Sequence, residues 1–380
     1  MYPFGVPEGT NLFEIRQKSA FYTKTYNNNF YRFLSESLYS WAVAQNMIDR
    51  RFSVAPMLDW TDRHCRYFLR LMSKHTLLYT EMVTTGAIIY GKGDYLGYNK
   101  EEHPIAVQLG GSDPSDMAKC AELSQERGYD EVNINVGCPS DRVKNGSFGA
   151  CLMAQPEVVA NCVKAMQSAV DIPVTVKCRI GIDDMDEDED FARFIDTVAD
   201  AGCDTFIVHA RKAWLQGLSP KENREIPPLN YPRVHRLKQA RPELSISING
   251  GIKTLAETQQ QLESVDGVMV GREVYANPFI MSSVDKDIFG DANAQSLSRR
   301  EIVLQMQQYI ERQEDPYFKP WHAARHILGL YQGQAGGRIW RRYLSQNGTG
   351  KNPDPNLLLN ALDAVESAQR EVAEYNSQKD

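Results

Sequence analysis

EVNINVGCPSDRVKNGSFGACLMAQPEVVANCVKAMQSAVDIPVTVKC, residues 131–178, holds the unit on which the fold turns. Two short β-branched runs, EVNINV (131–136) and IPVTVKC (172–178), bracket a stretch from Pro156 to Val170 whose apolar residues recur every three to four positions. Proline at the start of that stretch suits the first turn of a helix. Strand, helix and strand therefore follow one another, and the runs read as apolar on both faces, as parallel strands covered by helices do. The pattern extends in both directions. RFSVAPM (51–57), TLLYTEM (76–82) and PIAVQL (104–109) precede it, and DTFIVHA (204–210), LSISING (244–250) and DGVMVG (266–271) follow, with helical segments such as DPSDMAKCAELSQERG (113–128) between. Eight such runs alternating with helices predict an α/β fold of the (β/α)8 TIM-barrel type. A doubly wound sheet is the competing architecture, but no G-x-G-x-x-G follows the first strand.

Flanking segments differ in character. Beyond about residue 291 the strand-like runs stop, and amphipathic patterns at SLSRREIVLQMQQYIERQ (296–313) and PNLLLNALDAVESAQREVAEY (355–375) predict a small all-α helical bundle. The stretch before the first strand, including FYTKTYNNNFYRF (21–33), has weak periodicity and reads as a poorly ordered accessory extension. The expected organisation is thus 1–49 extension, 50–290 barrel and 291–380 helical domain. Seven cysteines without a C-x-x-C spacing suit a reducing cytoplasm. No apolar run approaches the roughly 20 residues that span a bilayer, and the first residues do not resemble a secretory signal. A net charge of −7 excludes a uniformly basic coat while leaving room for a local basic patch.

Chemistry in such barrels gathers at the carboxyl ends of the strands. There the sequence places Pro56 and Met57, Gln108, Asn135 followed by Cys138, Lys177, His209, Asn249-Gly250-Gly251, and Gly271-Arg272. A lone strand-end lysine is more often an ion-pair partner, and a lone histidine a satisfied core residue. Polar residues at so many ends together are harder to explain by stability, since each buried polar group costs free energy unless paired. The glycines after the last two strands, beside Asn249 and Arg272, suggest a phosphate site, because glycine lets backbone N–H groups approach an anion.

The motifs APMLDWTDRHCR, LYTEMVTTGAI, VQLGGSDP, VNINVGCPSDRVKNGSFGACLM, VTVKCRIGID, SINGGI and GVMVGR resemble, in order, those of the tRNA-dihydrouridine synthases. HARKAWLQGLSPKENREIPPLNYPRVHRLK (209–238) is similar to subfamily A. The resemblance runs from about Arg51 into the helical region. It implies FMN as cofactor, NADPH as its reductant, and reduction of uridines 20 and 20a of tRNA to 5,6-dihydrouridine. It also implies Cys138 as the proton donor to C5, opposite a hydride delivered to C6. A thiol suits that task, since with a pKa of roughly 8.5 it is protonated at neutral pH yet able to release the proton. Pro139 and the flanking glycines would stiffen its loop. The other cysteines, Cys65, Cys120, Cys151, Cys162, Cys178 and Cys203, are expected to be inert.

By the same resemblance Pro56, Met57 and Leu58 line the flavin and Gln108 bonds its pyrimidine edge. Lys177 places positive charge where reduced flavin becomes anionic. His209, Asn249, Gly250, Gly251, Gly271 and Arg272 hold the phosphate. Asn135 contacts the target nucleotide, and Lys221, Arg224, Arg338 and Arg341 contact tRNA, with Arg342 a further candidate. The stretch from Pro316 to Pro353 carries Lys319, Arg325, Arg338, Arg341, Arg342 and Lys351 without an acidic residue, interleaved with Tyr317, Phe318, Trp321, Tyr331, Trp340 and Tyr343. That composition suits RNA, although more than half of the rings are expected to be core. DDMDEDED (183–190) reads as a solvated loop and helix start. No metal is expected, and a monomer is the expected state. Competing functions are an FMN barrel enzyme acting on a small dihydropyrimidine, a lyase using Lys177 as a Schiff base, and an RNA-binding protein without chemistry.

Overall fold

The computed structural model describes residues 48–140, 148–350 and 354–377. The expected N-terminal extension, like much of the loop after Cys138, lies outside the described residues. Residues 50–380 cluster as one compact unit. Its centre is a closed, all-parallel barrel in which the strands neighbour one another in chain order. The strands are β1 (Phe52–Val54), β2 (Leu77–Thr84), β3 (Ile105–Gly110), β4 (Glu131–Val136), β5 (Val174–Arg179), β6 (Thr205–His209), β7 (Ser245–Asn249) and β8 (Gly267–Val270). Every expected strand is present, with ends shifted by a few residues.

Helices between the strands start and stop where side-chain chemistry dictates. The Asp113 carboxylate accepts from the Ser115 and Asp116 N–H groups to open Pro114–Arg127, and Gly128 closes it at φ +100°. Val132, Ile134, Val136, Val174, Val176 and Cys178 are buried in the same core as Val159, Val163 and Met166 of helix Pro156–Ala169.

Only one face of these strands is apolar, which corrects the reading of both faces as apolar. The alternate residues are Glu131, Asn133 and Asn135 on β4, Thr175, Lys177 and Arg179 on β5, and Ser245, Ser247 and Asn249 on β7. Period-two alternation turns this polar set into the barrel, where Glu131, Asn133 and Thr175 are fully buried. The acidic run 183–190 is likewise more than solvated. Asp186 pairs with Arg233 and Lys212, and Asp188 pairs with Arg233 and Arg236. Cys65, Cys120, Cys162, Cys178 and Cys203 are buried, whereas Cys138 and Cys151 are partly open. Cys203 lies just before β6.

After the barrel come helices Arg299–Glu311, Pro320–Ala324, Gly337–Asn347 and Leu357–Ser377. The first and last were expected; the two between them are short or glycine-flanked and lack a long apolar pattern. Asp62, in the loop after β1, ties this region to the barrel. Its carboxylate accepts from the His64 and Cys65 N–H groups, capping helix Arg63–Arg70. It also holds Arg325 at 2.8 Å and His326 at 2.9 Å. Burial pushes the Asp62 carboxyl up, but His326, the Cys65 amide and Arg325 outweigh it and hold the group well below the usual carboxylate range. Stability from this group is therefore present above the ordinary carboxylate pKa and lost only in strong acid. Nearby, Tyr309 stacks on Tyr67 with centroids 4.2 Å apart and bonds His64 Nδ1 at 2.7 Å. Asp62→Ala is expected to lower unfolding free energy by about 3 kcal/mol, because it strands the Arg325 guanidinium, leaves His326 without its carboxylate partner and uncaps a helix. Urea titration of both proteins measures this.

Candidate active site at the carboxyl rim of the barrel

The turn after β4 is built by Asn135. Its Oδ1 accepts from the Gly137 N–H at 3.1 Å and the Cys138 N–H at 3.0 Å, while its Nδ2 donates to Gln108 Oε1 at 2.7 Å. This wraps the chain around the side chain and leaves Cys138 Sγ partly open, 3.4 Å from Ser140 Oγ. Cys138 O accepts from the Ala150 N–H at 2.9 Å, so the far end of the loop is tied back to the thiol residue. Asn135 and Gln108 are buried and bonded to each other rather than directed freely at a nucleotide or ring edge.

Arg179, which the sequence reading passed over, holds the same turn from the other side. Its guanidinium is buried and donates to Gly137 O, Lys212 O and Asn223 O at 2.8–3.1 Å. It thereby fastens the thiol turn to the loop after β6 that carries Lys221 and Arg224. The signal for it was positional: Arg179 lies two residues beyond Lys177 and shares its inward face. Burial pulls its pKa down to about 10.

Lys177 donates to Asn249 Oδ1 at 3.1 Å, and Asn249 Nδ2 donates to Met269 O at 2.7 Å. Burial, with Arg179 adding to it, brings the Lys177 ammonium down from 10.5 to about 8. His209 is driven well below its ordinary value by burial and then by Arg179, Lys177, Arg211 and Arg272, so its imidazole is neutral. Gly250 packs against His209. A Cβ there would lie 2.7 Å from His209 Cδ2, and its φ of +118° suits glycine alone. Gly251 follows at φ +75°, and Tyr231, another residue passed over, donates its hydroxyl to Gly250 O at 2.6 Å. Gly271 faces β1, with space for a Cβ bounded by Ala55 at 3.3 Å and Met57 Sδ at 3.6 Å. Pro56 and Met57 are partly open, and Leu58 is 60% exposed at the rim.

Arg272, the cation expected near the phosphate, is exposed at the rim. It pairs with Glu225 at 2.8 Å and donates to Arg224 O at 3.1 Å. Lys221 and Arg224 are exposed in the same loop. Arg338 and Arg342 stand exposed on helix Gly337–Asn347, with Arg341 half-buried and bonded to Gln332. From the basic stretch, Arg325 is engaged by Asp62 and Lys351 lies outside the described residues. Trp340 and Tyr331 are buried, Phe318, Trp321 and Tyr343 pack on the core, and Tyr317 is 84% exposed.

Lys177 and Arg179, drawn down by burial, and the more open Arg211 and Arg272 surround a neutral histidine, and positive charge held out of water favours an anion beside it. Gly250 and Gly251, at positive φ, lie beside that charge, and Met57 and Leu58 form an apolar lip at the same rim. These residues fit a phosphate joined to a flat ring, which is the shape of FMN.

A closed parallel barrel with cations gathered at its carboxyl rim defines the (β/α)8 class, in which chemistry lies at that rim. Sequence comparison narrows the class. The profile of the dihydrouridine synthase family matches residues 53–369, and the chain belongs to that family. Among its curated relatives, the tRNA-dihydrouridine(20/20a) synthase of Escherichia coli K12 is 62% identical over 318 residues, covering 83% of this chain and 91% of the relative. The proteins of the same name from Vibrio parahaemolyticus and Shewanella oneidensis are 61% and 63% identical, covering 82% and 79% of this chain and 96% and 89% of theirs.

Proposed function

We propose that this chain reduces uridines 20 and 20a of tRNA to 5,6-dihydrouridine, in the cytoplasm, with FMN as cofactor and NADPH as reductant. The observation that carries this reading is its extent: identity above 60% spans nearly the whole length of relatives with that name. Bound FMN, reduced by NADPH, supplies the hydride that uracil takes at C6. Cys138 holds the proton that goes to C5, so the pyrimidine gains both hydrogens and the thiolate recovers its proton from solvent. Asn135 and Arg179 fix the turn that aims the sulfur. Lys177 and His209 would hold the ring and phosphate: the ammonium would stabilise negative charge on the ring, and the neutral imidazole would offer an N–H without adding charge. Gly250, Gly251 and Gly271 let backbone approach the phosphate, with Arg211 and Arg272 as the nearby cations.

Residues 291–380 serve in this reading as the tRNA-binding region. Arg338, Arg341 and Arg342 contact phosphates, while Lys221 and Arg224 receive the RNA at the mouth. These contacts offset the few kcal/mol needed to swing a uridine out of the tRNA fold. Arg338→Ala is expected to weaken tRNA binding and to lower the slope of log K against log salt by about 1, without loss of flavin. Filter binding across a salt series reads both quantities, and an unchanged slope would remove Arg338 from the interface. The reading as a whole is tested by incubating the purified protein with NADPH and either unmodified tRNA or free uridine. Dihydrouridine should form in the tRNA alone. Reduction of the free base would favour a small-molecule oxidoreductase, and a colourless protein would favour the lyase.

A further inference from the structure

We propose that Glu131, at the end of β4 remote from the mouth, is a positioning residue for Cys138, acting through a one-way chain of hydrogen bonds up the barrel interior. The proposal rests on the reading of Cys138 as proton donor. The chain begins at the Glu131 carboxylate, which is fully buried and paired with Arg50. A carboxylate only accepts, so the Thr175 hydroxyl donates to it, at 2.6 Å. Thr175 Oγ1 is then the acceptor for Asn133 Nδ2, at 2.9 Å. Asn133 must therefore turn its Oδ1 towards Gln108, whose Nε2 donates to it at 2.8 Å. Gln108 is left facing Asn135 with its oxygen, which accepts from Asn135 Nδ2 at 2.7 Å. Asn135 in turn presents its oxygen to the thiol turn, where the Gly137 and Cys138 N–H groups donate.

Both ends enforce the same direction. The carboxylate cannot donate and the backbone N–H groups cannot accept, so reversing any one amide sets two donors or two acceptors against each other. All four linking side chains, Thr175, Asn133, Gln108 and Asn135, are buried, and water is not at hand to repair such a conflict. The orientation of Asn135, and with it the turn that carries the sulfur, is thus set from the closed end of the barrel. Tyr79 provides an internal control. Its hydroxyl also donates to Glu131 Oε1 at 2.6 Å and neighbours Thr175, but no bond of the chain from Thr175 through Asn133 and Gln108 to Asn135 runs through it.

The test is Thr175→Val, which removes the linking hydroxyl with little change of shape, beside Thr175→Ser, which restores it, and Tyr79→Phe. In Thr175→Val, kcat for tRNA reduction should fall about ten- to a hundredfold with KM for tRNA unchanged, as a small misplacement of the reacting group predicts. Alkylation of Cys138 by iodoacetamide should rise about threefold or more as the turn loosens. Thr175→Ser should recover both, and Tyr79→Phe should lose stability while keeping kcat. Equal losses of kcat in Thr175→Val and Tyr79→Phe would reduce the chain to core packing and overturn the proposal. Wild-type kcat and alkylation in Thr175→Val, beside an inactive Cys138→Ala, would overturn it alone, whereas a fully active Cys138→Ala would overturn the reading beneath it as well. Should the valine variant not fold, Asn133→Leu breaks the next link and is judged by the same outcomes.

Discussion

Cys138→Ala is expected to purify yellow, to bind tRNA as the parent does, and to reduce its uridines about 10²–10⁴-fold more slowly, the usual contribution of a positioned general acid. The expectation follows from the division of labour at the rim. The sulfur is partly open and makes a long 3.4 Å contact with Ser140 Oγ, whereas the turn is fixed chiefly by backbone groups of Gly137 and Cys138 on Asn135 and Arg179. Alanine therefore leaves the turn intact. The glycines, Lys177 and His209 lie on other strands, so flavin retention does not depend on the thiol. Single-turnover reduction of tRNA by pre-reduced protein separates this step from the reaction with NADPH. An alanine variant as fast as the parent would assign the proton to another group.

Lys177→Met should produce the opposite pairing of effects: a more stable protein without cofactor and a crippled enzyme with it. The ammonium has its pKa lowered from 10.5 to about 8 by burial and then by Arg179. Because the folded value is the lower one, the unfolded chain binds more protons between those pH values, and stability rises with pH from about 8 to 10.5. Below that window the penalty for burying the charge is fully present. Methionine removes it and gives up the hydrogen bond to Asn249, which contributes only about 1 kcal/mol. The penalty is the larger of the two, so at neutral pH the flavin-free variant should melt about 2 °C or more above the parent, with the rise in stability across pH 8–10.5 abolished. Reduction of tRNA should fall about 10²–10³-fold, as when a preorganised electrostatic partner is removed. Thermal melts at several pH values, with and without added FMN, check both halves. A variant less stable than the parent at neutral pH would mean that the lysine is structurally satisfied by Asn249.

How far these features could be read from residues alone depends on what each signal encodes. Strand and helix alternation is written in local periodicity, so the barrel and the capped helices such as Pro114–Arg127 were legible. Strand-end residues were legible because topology alone brings Gln108, Cys138, Lys177, His209 and Asn249 to one rim. What escaped was everything that depends on partners distant in sequence. EVNINV reads as a β-branched run, and only its register against β3 and β5 shows that Glu131, Asn133 and Asn135 form a polar ladder. Arg179 is an ordinary strand-end arginine until the loops carrying Gly137, Lys212 and Asn223 converge on it. Arg325 and Arg338 look alike in a basic stretch, yet Asp62 engages the first and leaves the second exposed. The acidic run 183–190 looked solvated because its ion-pair partners Lys212, Arg233 and Arg236 are distant in sequence.

Mapping dihydrouridine along tRNA from cells that lack this protein is the most direct test. The account predicts that the modification disappears from positions 20 and 20a while dihydrouridine elsewhere in the tRNA persists, and that the intact gene restores it where a Cys138→Ala copy does not. Unaltered dihydrouridine at both positions would contradict it.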